Sequence, residues 1–216
     1  MIRLSFERLS NGALQILCLG CHPDDIEIGC GGTIIRLREQ YRDCEFHWVV
    51  FSGSGVRQAE AQRGAELFAG IDREKVVLKN FRDGFMPFTG GEVKSVFEEL
   101  KHAISPDIIF THNRRDAHQD HQFIAELTWN TFRDHFILEY EIPKYDGDLG
   151  QPTVFVPLEA AHCQKKVQYI VDAFQSQHSK RWFEESTFLS LLRLRGMECN
   201  ARSGHAEAFY CRKVLL

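Results

Sequence analysis

Two short polar clusters contain the residue types of a catalytic metal site. The first, Cys21-His-Pro-Asp-Asp-Ile-Glu27, puts a histidine and two adjacent carboxylates directly behind an apolar run at 13–20. The second, His118-Gln-Asp-His121, follows a six-residue loop behind another apolar run that ends at Thr111. Imidazole and carboxylate are zinc ligands, and a catalytic zinc keeps three protein ligands plus one open position. His22, Asp25 and His121 fill that quota. His22 and Asp25 are three apart across Pro23, one tight turn, so both can face one ion. With Asp25 on the metal, Asp24 is free of ligand duty and stands where a general base takes a proton from water. His118, one turn before His121, is placed to polarise a carbonyl oxygen or, protonated, to stabilise an oxyanion. Asp120 would hold it charged. A regular helix points residues 118 and 120 apart, so that pairing requires a partly looped stretch, and the competing reading of Asp120 is a helix-start carboxylate.

Such clusters need a frame that brings them together. The runs 13–20, 45–52, 75–79 and 107–111 are short and almost continuously apolar, the pattern of strands buried on both faces. Between them, 33–40, 57–68 and 92–103 repeat apolar residues at helical spacing. Further strands are expected at 136–142, 153–157 and 207–214, a loop at 143–152, and helices at 159–174 and 182–194. Alternating strand and helix implies right-handed crossovers and an α/β fold, a Rossmann-like three-layer sandwich with a mostly parallel sheet. Both clusters follow strands, so the carboxyl edge of the sheet is the expected active edge.

At this point the residues resemble a known family, the PIG-L/LmbE-like zinc-dependent N-deacetylases. The family's signatures are an Ala/Pro-His-Pro-Asp-Asp-x-Glu stretch and a distal His-x-Asp-His, matched here by residues 21–27 and 118–121. The resemblance implies His22, Asp25 and His121 as zinc ligands, Asp24 as base, and His118 as oxyanion stabiliser supported by Asp120. It further implies hydrolysis of the amide of an N-acetylated amino sugar such as an N-acetylglucosamine conjugate, with Zn2+ or another divalent metal such as Fe2+. Weaker similarity continues through Arg57-Gln-Ala-Glu60 and Phe81-Arg-Asp-Gly-Phe-Met86, and makes Arg57, Asp83 and Met86 the expected substrate contacts. Arg195-Gly followed by His205-Ala-Glu-x-Phe209 resembles a tail of sugar-acting bacterial members in which His205 stands for a tyrosine. Cys21 departs from the alanine or proline of the signature. With Cys18 it forms Cys-x-x-Cys at a strand end, which reads as two core thiols rather than a redox pair.

Bulk properties fit one domain spanning 1–216, with 44% apolar and 26% charged residues. A net charge of −4 provides no phosphate-neutralising excess and argues against nucleic acid. The charged N-terminal decapeptide does not read as a signal peptide, and 13–20 is too short for a transmembrane segment. Seven scattered cysteines point to a reducing, cytoplasmic setting. Seventeen phenylalanines leave room for a homo-oligomer interface. Three rival readings remain. His22, Asp24 and His121 also fit the facial triad of a non-haem Fe(II) oxygenase, although those enzymes use a different fold class. The glycines at 29–32 and 53–55 suggest phosphate held on backbone N–H groups, without a full fingerprint. A sugar-binding protein without catalysis is the third, and it would need neither Asp24 nor His118.

Overall fold

The structure, a computed structural model, describes residues 13–41 and 43–215. The N-terminal decapeptide read above lies outside the described residues. Strands β1 (Leu14–Gly20), β2 (Cys44–Ser52), β3 (Val77–Phe81), β4 (Ile108–His112), β5 (Phe136–Tyr140), β6 (Val154–Pro157) and β7 (Ala206–Tyr210) form one sheet in the order β3-β2-β1-β4-β5-β7-β6. The first five in that order are parallel, whereas β7 pairs antiparallel with both β5 and β6. The helices are α1 (Asp25–Gln40), α2 (Val56–Ala69), α3 (Gly90–Ala103), α4 (Gln119–Thr131), α5 (Ala160–Ala173) and α6 (Glu185–Glu198). This is the expected three-layer α/β arrangement with a mostly parallel sheet.

Alternation along the strands sorts the core into two layers. Ile16, Cys18, Trp48, Val50, Phe110 and Leu138 face α1, α2 and α5, while Leu17, Leu19, Val49, Phe51, Ile109 and Ile137 face α3 and α4. From β1 the chain first builds outward through β2 and β3, then returns to place β4 and β5 on the other side. The reversal opens a crevice outside the carboxyl ends of β1 and β4, the place where such sheets hold ligands.

Two differences from the sequence expectation bear on the site. α1 begins at Asp25, eight residues before the expected start at 33, and runs straight through Gly29, Gly31 and Gly32. Those glycines lower helix propensity, but here they let a buried helix lie close to its neighbours. A Cβ on Gly29 would stand 2.2 Å from the Tyr140 ring, and one on Gly31 2.4 Å from Phe68. Beside them a buried ion pair meets the helix backbone. Glu207 accepts the N–H groups of Gly32 (2.8 Å) and Thr33 (2.6 Å), while Lys166 donates to the Ile28 carbonyl (2.6 Å) and to Glu207 (2.6 Å). The glycine segment therefore serves packing, and a phosphate cradle there is excluded by its burial. The second difference is α4, which begins inside the second polar cluster, where a partly looped stretch was expected.

Candidate active site

The first cluster is held in place from both sides. The Cys21 carbonyl accepts the Ser52 N–H and Oγ–H, both at 2.9 Å, and the Cys21 N–H donates to His112 Nε2 at 2.9 Å. Beyond this anchor the chain turns sharply into α1. Asp24 precedes the helix with φ 101°, a left-handed conformation that costs a non-glycine residue about 1–3 kcal/mol and is tolerated best by Asp and Asn. The turn sets Asp24 and Asp25 on different sides: Asp25 Oδ2 accepts the His22 N–H at 2.6 Å, and Asp24 Oδ2 meets Arg57 Nη2 at 3.0 Å.

The second cluster starts at the end of β4 and passes into α4. Asp116 organises it, accepting the His118 N–H through Oδ1 (2.8 Å) and facing His121 Nδ1 through Oδ2 (2.9 Å). His118 caps α4 by accepting the Asp120 N–H at Nδ1, 3.2 Å away. Lys144 lies 3.0 Å from Asp116 and 2.5 Å from Asp148, whose Oδ2 also takes the Ala117 N–H at 2.6 Å. The loop at 143–152 is thereby fastened to the cluster.

Together the two clusters bring His22, Asp25 and His121 face to face. His22 Nδ1 is 3.1 Å from His121 Nε2 and 3.4 Å from Asp25 Oδ2, and the remaining edge is 3.6 Å. A tetrahedral zinc with bonds of about 2.0–2.1 Å spaces its ligand atoms by roughly 3.3–3.4 Å, so this triangle fits one. Proton bookkeeping points the same way. With the His121 Nδ1 hydrogen on Asp116, its Nε2 presents a lone pair. His22 Nε2 lies 3.0 Å from the Asp83 carboxylate and 3.7 Å from that of Asp120, so acidic groups face the side of the ring away from His121. The facing His22 Nδ1 and His121 Nε2, 3.1 Å apart, are placed to share one cation, which would take the place of a proton between them. His112 also stands within reach, 3.2 Å from Asp25 Oδ2 and stacked on His121, but the lone pair on its Nε2 already accepts the Cys21 amide. Its Nδ1 is buried without a hydrogen-bond partner among the described residues.

The same field shifts the ionisable groups. Burial opposes charge on His22, yet Asp120, Asp25 and Asp83 prevail and push its pKa well above the ordinary value. Burial raises the Asp25 carboxyl, but His121 and His112 overcome it and hold it well below the usual range. Asp24 is pushed up to about 6, chiefly by burial and further by Asp25, against the pull of Arg57.

Several expected roles take a different form. Asp120 does not hold His118 with its carboxylate. It accepts the N–H groups of Gly84 (2.6 Å) and Met86 (3.2 Å), tying the loop after β3 to the start of α4. Because residues 118 and 120 lie at a true helix start, their side chains diverge. His118 is not kept charged either, since burial and the neighbouring His121 and His22 lower its pKa. Of the expected substrate contacts, Asp83 is exposed and reaches the site, and Arg57 is held beside Asp24 by Glu60 (3.0 Å) and the Pro23 carbonyl. Met86 is fully buried with its sulfur 3.4 Å from Cys21 Sγ, beneath the site rather than on its substrate side. Cys18 and Cys21 are unpaired buried thiols, and burial raises the pKa of both. Asp116, His112 and Lys144 were not singled out by sequence reasoning. The one signal for Asp116 is a carboxylate five residues before His121.

Residues 17–132 match the PIG-L family, described as GlcNAc-PI de-N-acetylase. The chain belongs to this family. Membership makes it a hydrolase of the deacetylase class. The chain is 29% identical over 144 residues to the uncharacterized deacetylase YaiS of Escherichia coli (strain K12), covering 62% of the chain and 77% of YaiS. The fold is similar to that of the N,N'-diacetylchitobiose deacetylase of Pyrococcus horikoshii, with a TM-score of 0.67 at 18% identity over 93% of this chain and 84% of that one. It is also similar to GalB, the 4-carboxy-2-hydroxymuconate hydratase of Pseudomonas putida KT2440, with a TM-score of 0.71 at 15% identity over 94% and 98% of the two chains. The PIG-L match spans β1 to the end of α4 and so contains both clusters, whereas α5, α6 and the antiparallel edge of the sheet lie beyond it.

Proposed function

We propose that this PIG-L member removes the acetyl group from an N-acetylglucosamine-type sugar or conjugate, releasing acetate and the free amino sugar, with zinc in the site. The observation that carries the reading is the pair of facing imidazole nitrogens of His22 and His121, 3.1 Å apart beside Asp25, with the Asp24 carboxylate adjacent. His22 Nδ1, His121 Nε2 and Asp25 Oδ2 would hold the ion. Bound there, zinc supplies a Lewis acid that polarises an amide carbonyl and lowers the pKa of water. His/His/Asp donors also suit Fe2+, and zinc is the proposal because this chemistry needs no redox change.

The chain's own residues perform the remaining steps. Asp24 takes a proton from the water that attacks the acetamide carbon and delivers it to the nitrogen as the C–N bond breaks. Arg57 orients that carboxylate and keeps its pKa from rising further. His118 accepts the Asp120 N–H at Nδ1, so its hydrogen is on Nε2, and it donates from there to the carbonyl oxygen as negative charge develops. A neutral imidazole suffices for this. Asp116 orients His121, and Asp83, exposed at the mouth, is placed for a sugar hydroxyl. The seven unpaired cysteines fit a reducing compartment such as the cytoplasm.

Acetate assayed from a panel of N-acetylated sugars, with metal analysis of the same sample, tests the reading. Acetate release that ceases on chelation and returns with zinc supports it. A metal-loaded protein that releases none overturns it, oxygen consumption with bound iron selects the oxygenase, and sugar binding without turnover selects the binding protein.

A further inference from the structure

Between the second half of α4 and the stretch after β7, a groove of about 420 Å³ gathers Arg114, Arg133, Arg212 and Lys213 around Trp129. Trp129 comes eight residues after His121, about 12 Å further along the helix axis, so the groove is set apart from the metal centre. The groups that position these cations do not neutralise them. Arg133 Nε donates to the Asn130 carbonyl at 3.1 Å, and Lys213 Nζ to the Arg133 carbonyl. Arg212 and Lys213 lie over the Trp129 ring, 4.5 and 5.7 Å from its centre. Among the described residues none of the four is ion-paired. Glu126 is the one carboxylate in the lining. Glu139, buried against Trp129, gives one oxygen to the indole N–H and the other to the Arg114 backbone N–H (3.1 Å). Even with Glu139 counted, four cations meet two carboxylates.

A concave site with surplus positive charge, in a chain whose net charge is −4, is built for an anion. We infer that this groove is a second ligand site, outside the catalytic crevice, for a small molecule carrying two linked phosphate groups. Three of the four cations are arginines, whose planar guanidinium takes two phosphate oxygens at once. A single phosphate would leave part of the surplus charge unmatched. The volume falls within the roughly 300–1,000 Å³ of small-molecule sites and admits a diphosphate with a substituent. An acidic peptide fits less well, because its charges are single and spread about 3.3 Å per residue along an extended chain.

The test is equilibrium dialysis of the zinc-loaded full chain, at about 0.15 M salt, against inorganic phosphate, pyrophosphate, adenosine diphosphate and a hexaglutamate peptide. Pyrophosphate should bind at least about tenfold more tightly than phosphate. Adenosine diphosphate bound more tightly still assigns the site to a nucleotide, whereas equal or weaker binding assigns it to the diphosphate alone. Arg133→Gln with Arg212→Gln should weaken pyrophosphate binding about tenfold or more, with zinc content measured in the same sample to show that the metal centre persists. Because Arg212 packs on Trp129, the exposed Arg133 is also changed alone. Arg133→Gln should weaken binding, and Arg133→Lys, which retains the charge but loses the fork, should weaken it less. Absence of saturable binding overturns the inference, as does equal affinity for phosphate and pyrophosphate or a preference for the peptide. Parent-level affinity in the double variant overturns it too, because the diphosphate would then sit elsewhere, as on the zinc.

Discussion

Asp24 stands in a backbone conformation that few side chains tolerate, and the strain separates two neighbouring carboxylates into different environments. Asn shares that tolerance and the shape of Asp but cannot accept the proton, so Asp24→Asn should retain zinc while kcat falls about 10²–10⁴-fold. An unchanged kcat would remove Asp24 from the base role. Asp116 acts through His121, and Asp116→Asn should weaken zinc affinity about 10–100-fold, read by competition with a chromogenic chelator. Affinity equal to the parent would mean that His121 needs no orienting carboxylate. His22, Asp24, Asp25 and His121 were legible because turn chemistry and ligand type show in a few adjacent residues. Asp116, His112 and Lys144 were not, because their significance lies in contacts across loops and between strands. Asp120 is aimed away from His118 because a side chain at a helix start is directed by the helix, and α4 begins at Gln119.

At the scale of elements, α1 begins at Asp25 directly behind Asp24, and its position depends on residues that look unfavourable in the sequence. Gly29 lies against Tyr140, whose hydroxyl donates to the Leu19 carbonyl at 2.7 Å, so α1, β5 and β1 meet at one point. Gly29→Ala should destabilise the fold by about 1–3 kcal/mol through overpacking, seen as a lower urea midpoint. Glu207 takes two amide hydrogens of α1 and neutralises Lys166 in a site where both side chains are almost fully buried. Glu207→Gln would leave the ammonium uncompensated, and a loss of about 3–5 kcal/mol is expected in the same assay. Arg195, similarly, pairs with Glu141 at 2.8 Å beneath the last strands. The Arg195-Gly and Ala206-Glu-x-Phe209 pattern of the tail therefore secures helices to the antiparallel edge. Most elements were legible because their apolar periods are clear. The start of α1 was hidden because helix propensity penalises the glycines that its packing requires.

At the scale of the whole molecule, parallel strands with a reversal beside β1 bring two clusters about a hundred residues apart in sequence into one site. The alternation of apolar runs made that architecture readable. Strand order depends on long-range pairing, which no local pattern records. If the ion joins the two halves of the crevice, it also stabilises the fold. Chelation should lower Tm by on the order of 5–10 °C, restored by zinc and not by magnesium. An unchanged Tm would mean that the clusters hold together without a cation. The most direct test of the central claim is acetate release from an N-acetylglucosamine conjugate, measured for the parent and Asp24→Asn at equal zinc content. The parent should release acetate, cease on chelation and recover with zinc, while the variant retains its metal and is nearly inactive. A zinc-loaded parent that releases no acetate, or a variant as active as the parent, would contradict it.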